Sequence, residues 1–442
     1  MKKTETPGRI GPLEYAAGGV VGLLTLLLPL KFASLAVMPE ATSFFPGYWS
    51  AYIDITWPAH SFGLFSGAAL FLALAVFGWR AASPLRSPCG RTMLLWALGL
   101  PLAALPGLIN CDTPDYGIWE ILHLAGVGAY LWTLYLVLAC RPEWRKTFLW
   151  LLAAGAGLVV YSGLRQYFVG FAETREFARR QYEEGILISE ILRIKLEDDR
   201  VFATFASCNV LAGYLVLVIP PVCYTLWRFG DRFEPEKVSR PLLAGIGAVF
   251  LSAVLLLTRG RGALLAAVLA AAGFVLTLPM RRLWRAGLIA LAVFTIAGGA
   301  VFAHCAGRGF GSVAERVDYL KTSFTMVMEK PLAGHGWGGF FYRHMQLKTT
   351  GTDEAAHDPH NIVAAFATQA GIPAGLLVAF ALLYPLAALG RRIFRKEADG
   401  FAVAIFWGEV AFLLHALMDV DLQIPACMAL AGGLLIVALV VP

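Results

Sequence analysis

Long apolar runs, separated by short polar or basic segments, recur along the whole chain. A helix that crosses a bilayer needs roughly 20 apolar residues, and these runs have that length. They are too continuous for the strands of a membrane barrel, in which lipid-facing and inward residues alternate. The pattern therefore predicts an all-α polytopic membrane protein of about twelve transmembrane helices, near 14–38, 60–79, 92–110, 119–140, 147–168, 208–228, 241–257, 262–280, 286–303, 359–389, 401–419 and 425–442.

Composition agrees with a single integral membrane domain over 1–442. Hydrophobic residues make up 58% of the chain and charged residues 15%, with a mean hydropathy of +0.67, whereas a soluble domain is about 25% charged. Two longer polar segments interrupt the runs. Segment 169–207 has mixed charge and few helix breakers, which predicts surface helices along the membrane. Segment 304–358 is rich in glycine and is expected to carry part of the functional site.

Lysine and arginine are unevenly distributed between the two sets of connecting segments. Twenty of the 36 lie in one set, formed by 1–13, 80–91, 141–146, 228–240, 281–285 and 390–400. Basic loops remain in the cytoplasm, so we expect both termini inside and the two long polar segments outside. The formal charge of +6 then reflects topology, and no nucleic-acid partner is expected.

Several arginines fall at or near the outer ends of predicted spans. A cation at such a position is costly, and each one is a candidate functional residue. The planar guanidinium bonds two phosphate oxygens at once, so several cations could bind one anionic group together. Snorkelling, or an ion pair with Asp198 or Asp199, explains a single arginine equally well. The candidates are Arg165, Arg200, Arg259 and Arg261.

A cluster of polar residues stands where the second long segment meets the next apolar run, in the sequence HDPHN over 357–361. Asp358 is expected to cap a helix whose first turn contains His360. A histidine at the boundary of water and lipid could remove a proton from a hydroxyl, because its pKa lies near working pH. His357 and Asn361 are supporting candidates. The alternative is a helix start with a surface histidine.

A second pair of candidates lies late in the chain, in HALMDVDLQIP. His415 and Asp419 are spaced i, i+4, which places them on one face of a helix. They could form a proton or metal pair, but a structural hydrogen bond is the commoner arrangement. The seven cysteines show no CxxC pair and no metal-ligand spacing, so no disulfide framework and no structural zinc are expected.

Five segments in the second half of the chain, in the same order, resemble those of the O-antigen ligase superfamily of bacterial membrane glycosyltransferases. The first resembles an Arg-x-x-x-x-Phe…Asn-x-x-Ala-Gly motif, and the second a Ser-Arg-Gly-Ala motif with Gly260 in place of the usual serine. The fourth resembles a His-Asn motif that precedes a span. The segments are RVFATFASCNVLAGYL, LLLTRGRGALLAAVLA, RVDYLKTSFTMVMEKPLAGHGWGGF, HDPHNIVAAFATQAGIPAGLL and HALMDVDLQIPA.

The resemblance implies a GT-C-like architecture and a metal-independent glycosyltransferase that needs no cofactor. The donor would be undecaprenyl diphosphate bearing a glycan, used on the periplasmic side of the bacterial inner membrane. Arg200 and Arg261 would bind the diphosphate, and His360 would act on the acceptor hydroxyl. Because the serine before Arg261 is missing, Arg259 could share that role.

The acceptor is left open by the sequence. An O-antigen ligase would use the lipid A core of lipopolysaccharide, which is the reading we favour. A chain polymerase would use a second lipid-linked glycan, and a protein O-oligosaccharyltransferase would use a protein hydroxyl. A transporter or flippase of lipid-linked glycans is the alternative from another class, because it too needs intramembrane cations and many spans.

Overall fold

The computed structural model describes residues 11–34, 56–57, 61–78, 84–185, 199–233, 238–277, 281–288, 290, 311–349 and 356–440. Within these residues all regular structure is helical. The principal helices are α1 (Pro12–Lys31), α2 (Ser61–Phe77), α3 (Pro88–Leu108), α4 (Pro114–Cys140), α5 (Arg145–Arg165), α6 (Phe171–Glu183), α7 (Cys208–Gly230), α8 (Ser239–Leu257), α9 (Arg261–Thr277), α10 (Gly311–Glu329), α11 (Gly339–Leu347), α12 (Ile362–Ala370), α13 (Ile372–Phe394), α14 (Gly400–Ala416) and α15 (Pro425–Leu439).

The described helices are those of a polytopic membrane protein, as predicted. Seven are long and apolar enough to cross a bilayer: α1, α3, α4, α7, α8, α13, and the continuous helix Pro142–Glu183 that includes α5 and α6. Four shorter apolar helices, α2, α9, α14 and α15, have 15–17 residues. The predicted span 286–303 lies mostly outside the described residues. The total of about twelve spans and the GT-C-like architecture stay predictions, as do surface helices over 169–207.

The apolar run over 359–389 forms two helices instead of one span. The two helices are separated by a complete break at Gly371, which adopts φ +97°, a conformation that glycine tolerates and other residues rarely adopt. A side chain at Gly371 would also collide with the backbone oxygen of Leu332. The membrane-spanning helix therefore begins at Ile372, and α12 packs beside it as a separate short helix.

The last helix, α15, lies at the centre of the bundle. All of its residues are buried, and it packs against α1, α3, α4, α7, α13 and α14. A helix that is apolar on every side is stable only when it is surrounded by protein or lipid. Ala426 N–H donates to Phe32 O at 3.1 Å, which fixes the start of α15. The turn before α15 is thereby held above the middle of the bundle.

The two ends of the bundle are distinguished by the segments that connect the helices. At one end, where α4 leads to α5 and α13 leads to α14, arginines form ion pairs. Arg141 pairs with Glu14 at 2.6 Å and Arg145 with Asp399 at 2.5 Å. The opposite end carries the four turns 199–207, 258–260, 356–361 and 417–424, and we call it the site end.

Candidate active site

The four turns of the site end are bonded to one another. The guanidinium of Arg200 donates from Nε to the backbone oxygen of Thr258 at 2.9 Å, which joins the first two turns. Val201 N–H donates to Leu257 O at 3.2 Å. Asn361 Nδ2 donates to Leu417 O at 3.0 Å, which joins the other two. Candidate residues that are far apart in sequence are thus gathered at one end of the bundle.

Arg200 belongs to a continuous network of side chains. Its Nη2 donates to Asn209 Oδ1 at 2.7 Å, and Asn209 Nδ2 donates to Asp419 Oδ2 at 3.0 Å. Asp419 also accepts from Arg316 Nη2 at 3.1 Å. Asp419 is buried, so its carboxylate serves as an internal counterion of Arg316 and is joined to Arg200 through Asn209. The network fixes the Arg200 side chain before any ligand binds.

Arg259 and Arg261 stand on either side of a tightly packed glycine. Both side chains are exposed, and Arg259 has a positive φ of 52°, so its turn directs the chain sharply into α9. A Cβ at Gly260 would lie 2.9 Å from Ala212 Cβ. Glycine in place of serine therefore suits the close approach of this turn to α7. Arg261 is the first residue of α9, and both arginines lie at the site end.

His360 is held by its own loop and by an aromatic ring. Its Nδ1 lies 3.0 Å from the backbone oxygen of Asp358, and its N–H donates to Asp358 Oδ1 at 2.8 Å. The ring stacks on Tyr319, with centroids 5.1 Å apart and planes at 24°. Because a carbonyl oxygen accepts only, Nδ1 carries the proton and Nε2 is the basic nitrogen. The geometry is that of an oriented base.

The expected capping arrangement around His360 is wrong by three residues. Asn361 is the N-cap of α12, and its Oδ1 accepts from Ala364 N–H at 3.1 Å. Asp358 instead accepts from the His360 backbone. His360 consequently precedes the helix, with φ +55°, and does not lie in its first turn. Burial raises the pKa of Asp358 to about 6, against the lowering effects of His360 and a hydrogen bond from Gln423.

Two residues predicted to support the site, His357 and Arg165, make contacts outside the Arg200 network. The His357 ring is exposed and stacks on Phe341 at 4.4 Å between centroids. Arg165 forms an exposed ion pair with Glu173 at 3.4 Å. Neither contact involves the Arg200 network or the His360 side chain.

His415 pairs with Asp421 and not with Asp419. Helix α14 ends at Ala416, so the i, i+4 spacing does not apply to residue 419. His415 Nδ1 and Asp421 Oδ2 are 2.6 Å apart, and the two residues are 2% and 0% exposed. Burial raises the pKa of Asp421 to about 6, and the attraction of His415 opposes the rise. The other edge of the His415 ring faces Gly262, with Nε2 3.6 Å from the position of a Cβ there.

Residues 246–379 match the model of a protein family described as O-antigen ligase. This match supports the O-antigen ligase superfamily that the five segments resemble. No curated protein matches the chain. The matched segment contains Arg259, Arg261 and His360, whereas Arg200 and the His415–Asp421 pair lie on either side of it. Contacts at the site end join these outlying residues to the ligase domain.

Four residues of the site end are not predicted as candidates by the sequence patterns. Arg316 donates from Nε to Met418 O at 2.7 Å and pairs with Asp419. The others are Asn209, Tyr319 and Asp421. All four lie within the segments that resemble the family, and this resemblance is the sequence feature that points to them. Their partners lie far away in the chain, so no local spacing identifies the contacts.

The site combines cations, one oriented imidazole and buried carboxylates. Among the residues that the structure describes, no group of three or more histidine, cysteine, aspartate or glutamate side chains could hold a metal ion. His360 is also close enough to Asp421 for their charges to interact. The arrangement can bind a diphosphate or similar anion and remove a proton beside it. A member of this superfamily is a membrane enzyme of the ligase and polymerase type.

Proposed function

We propose that the protein transfers a glycan from undecaprenyl diphosphate to a hydroxyl of the lipid A core, and so acts as an O-antigen ligase. One observation carries the proposal: three arginines and an oriented histidine are gathered at one end of a membrane bundle that contains an O-antigen ligase domain. A lipid-linked donor needs this position, because its tail stays in the bilayer while its diphosphate and sugar meet water.

The arginines would bind the donor diphosphate. Arg200 is already oriented through Thr258 and Asn209, which reduces the entropy that binding would cost. Arg259 and Arg261 are exposed and present two further guanidinium groups. Their charge would stabilise the negative charge that grows on the leaving diphosphate in the transition state.

His360 would act as the general base. Its Nε2 would accept the proton of the acceptor hydroxyl while that oxygen attacks the anomeric carbon. The new bond joins the acceptor oxygen to the sugar, and the bond between the anomeric carbon and the diphosphate oxygen breaks. The electron pair of the broken bond leaves with undecaprenyl diphosphate. A direct displacement of this kind inverts the anomeric configuration.

The site end would face the periplasm, with both termini in the cytoplasm of a bacterial inner membrane. Arg141 and Arg145 lie at the opposite end, within the basic set of loops. Basic loops stay in the cytoplasm, which supports this orientation.

The test is a reaction of the purified protein in nanodiscs with an undecaprenyl-diphosphate oligosaccharide and EDTA. Three acceptors run in parallel: rough lipopolysaccharide, a second lipid-linked glycan and a serine-rich protein. We expect one discrete product on lipopolysaccharide, lost in the His360→Ala variant.

Other products would assign a different activity to the protein. A ladder of lipid-linked chains would mean a polymerase, and a modified protein would mean an oligosaccharyltransferase. If protein that binds the donor formed no product with any acceptor, yet moved the donor between leaflets, the transferase assignment would be wrong and the protein would be a transporter.

A further inference from the structure

Helix α10, in the second long polar segment, has two opposite faces. The residues of one face are buried against α11 and the 356–361 turn: Asp318, Tyr319, Thr322, Ser323 and Met326. The residues of the opposite face are apolar and between 45% and 69% exposed: Val313, Val317, Leu320, Phe324 and Met328. The exposed residues are spaced by three or four, which forms one continuous stripe along the helix. We call them the α10 stripe.

The exposure of this stripe is not explained by α10 crossing the membrane. The helix carries Glu315, Arg316, Asp318, Lys321 and Glu329 within its 19 residues, and it is not among the described helices apolar enough to span. An apolar row of this length facing water would be unfavourable, and such patches usually mark an interaction surface.

Both ends of α10 are fixed to the site end of the bundle. Near its start, Arg316 Nε donates to Met418 O at 2.7 Å, just past the end of α14. Just past its end, Pro331 O accepts from Ile372 N–H at 2.7 Å, at the first residue of α13. The helix axis between these points covers roughly 20 Å at 1.5 Å per residue. Since α14 ends and α13 begins at the same end of the bundle, α10 runs across that end, along the membrane plane.

The stripe is continuous with a surface that faces lipid. Leu332 follows α10 and is 77% exposed, and its backbone oxygen packs against Gly371. Immediately beyond, one face of the spanning helix α13 presents Ile372, Leu376, Phe380 and Leu383, which are 38–65% exposed. Exposed apolar side chains on a spanning helix contact acyl chains. The α10 stripe therefore meets the lipid-facing row of α13 at Leu332.

We propose that α10 is an interfacial helix whose stripe is inserted into the bilayer leaflet at the site end. The partner is a phospholipid surface, and the inference does not depend on the reaction proposed above. Helices with an apolar face and flanking lysines bind at this depth, and the exposed Lys321 and Lys330 suit anionic headgroups. The opposite face holds Tyr319 against His360 and Arg316 against Asp419. Lipid on one face of α10 thus supports the candidate active site on the other.

The test measures membrane depth with nitroxide labels on the full chain in nanodiscs. Labels are placed at Phe324→Cys, on the stripe, and at Lys330→Cys, on another face of the same segment, after replacement of the seven native cysteines. Molecular oxygen concentrates in lipid, whereas a nickel chelate stays in water. We expect the 324 label to collide preferentially with oxygen, at a depth of about 5–10 Å below the headgroups, and the 330 label to collide preferentially with nickel.

Two results would overturn the proposal. Equal access of nickel to both labels would mean that the stripe faces water. Protection of the 324 label from both reagents would mean that protein covers it, as a partner or a second copy of the chain. If the cysteine-free chain does not fold, a photoreactive phenylalanine at position 324 of the otherwise native chain gives the same answer. Its cross-linked product should gain the mass of one phospholipid, and a protein adduct would contradict the inference.

Discussion

Two histidines of the site end are each oriented through Nδ1, but by different partners. His360 contacts a backbone oxygen at 3.0 Å and stacks on Tyr319. His415 contacts the carboxylate of Asp421 at 2.6 Å, and both residues of this pair are almost fully buried. The partner of His360 is therefore a neutral group. A buried carboxylate instead makes the second ring part of a fixed ion pair.

The difference predicts that His360 reacts and that His415 supports the fold. His360 is partly exposed and could reach an acceptor. His415 lies behind Gly262, next to Arg261, where it could support the start of α9. A buried ion pair contributes little net stability, but the loss of one partner is costly because the other charge remains buried. Replacement of His360 should therefore reduce activity, whereas replacement of His415 should reduce stability.

The largest effect is expected at His360. His360→Ala removes the base and should lower the transfer rate by about 10²–10⁴-fold, with donor affinity retained. His415→Ala should mainly reduce the yield of folded protein. The measurement is kcat per folded molecule, with folding followed by size-exclusion chromatography. Equal losses of kcat in both variants, at equal amounts of folded protein, would contradict the separation of roles. His357→Ala is the neighbouring control and should lose far less than His360→Ala.

The next largest effect concerns the stability of the buried pair. Asp421→Asn leaves His415 without its carboxylate, which should cost about 3–5 kcal/mol of unfolding free energy. The measurement is the thermal unfolding midpoint in detergent. Glu176→Gln is the matched control, because it removes exposed pairs with Arg179 and Arg180, and exposed ion pairs contribute little to stability. Similar midpoints for the two variants would argue against a structural role of the buried pair.

The sequence predicts the spanning helices better than it predicts where they break. Apolar run length predicts spanning helices because the thickness of the bilayer sets it. The same criterion merged α12 with α13, since residues 362–370 are as apolar as a span. Gly371 and Pro373 favour a kink at this position, but only the packing of Leu332 against Gly371 explains why the break is complete.

Site residues were predictable by type but not by partner. The resemblance of the five segments to the family predicts Arg200, Arg261 and His360 as site residues. The spacing of His415 and Asp419 suggested a pair because helical periodicity was assumed beyond Ala416, where the helix ends. Arg316 and Asp419 are 103 positions apart, and only the tertiary fold brings such residues together. The assignment of roles within the site remains a prediction.

A pH-dependent effect of intermediate size is expected at Asp358. Burial raises the pKa of its carboxyl from 3.8 to about 6. Between these values the carboxyl is neutral in the folded protein and charged in the unfolded chain. Its contribution to stability is therefore complete below pH 3.8 and is lost as the pH rises through about 6, a loss on the order of 1–3 kcal/mol.

The measurement for Asp358 compares unfolding midpoints of the unchanged protein and the Asp358→Asn variant. Between pH 4 and pH 7, the unchanged protein should lose stability relative to the variant, because asparagine does not titrate. Parallel curves would mean that the carboxyl titrates near its ordinary pKa.

The smallest effect is expected at the ring that holds His360. Tyr319 stacks on the imidazole at 5.1 Å, and such aromatic pairs are worth about 0.5–1.5 kcal/mol beyond their buried area. Tyr319→Leu should therefore lower kcat by about 2–10-fold and leave KM for the donor little changed. Tyr319→Phe keeps the ring and should restore most of the rate. Loss of rate in the phenylalanine variant as well would mean that the hydroxyl matters more than stacking. A change in KM alone would place the role of Tyr319 in donor binding and not in the orientation of the base.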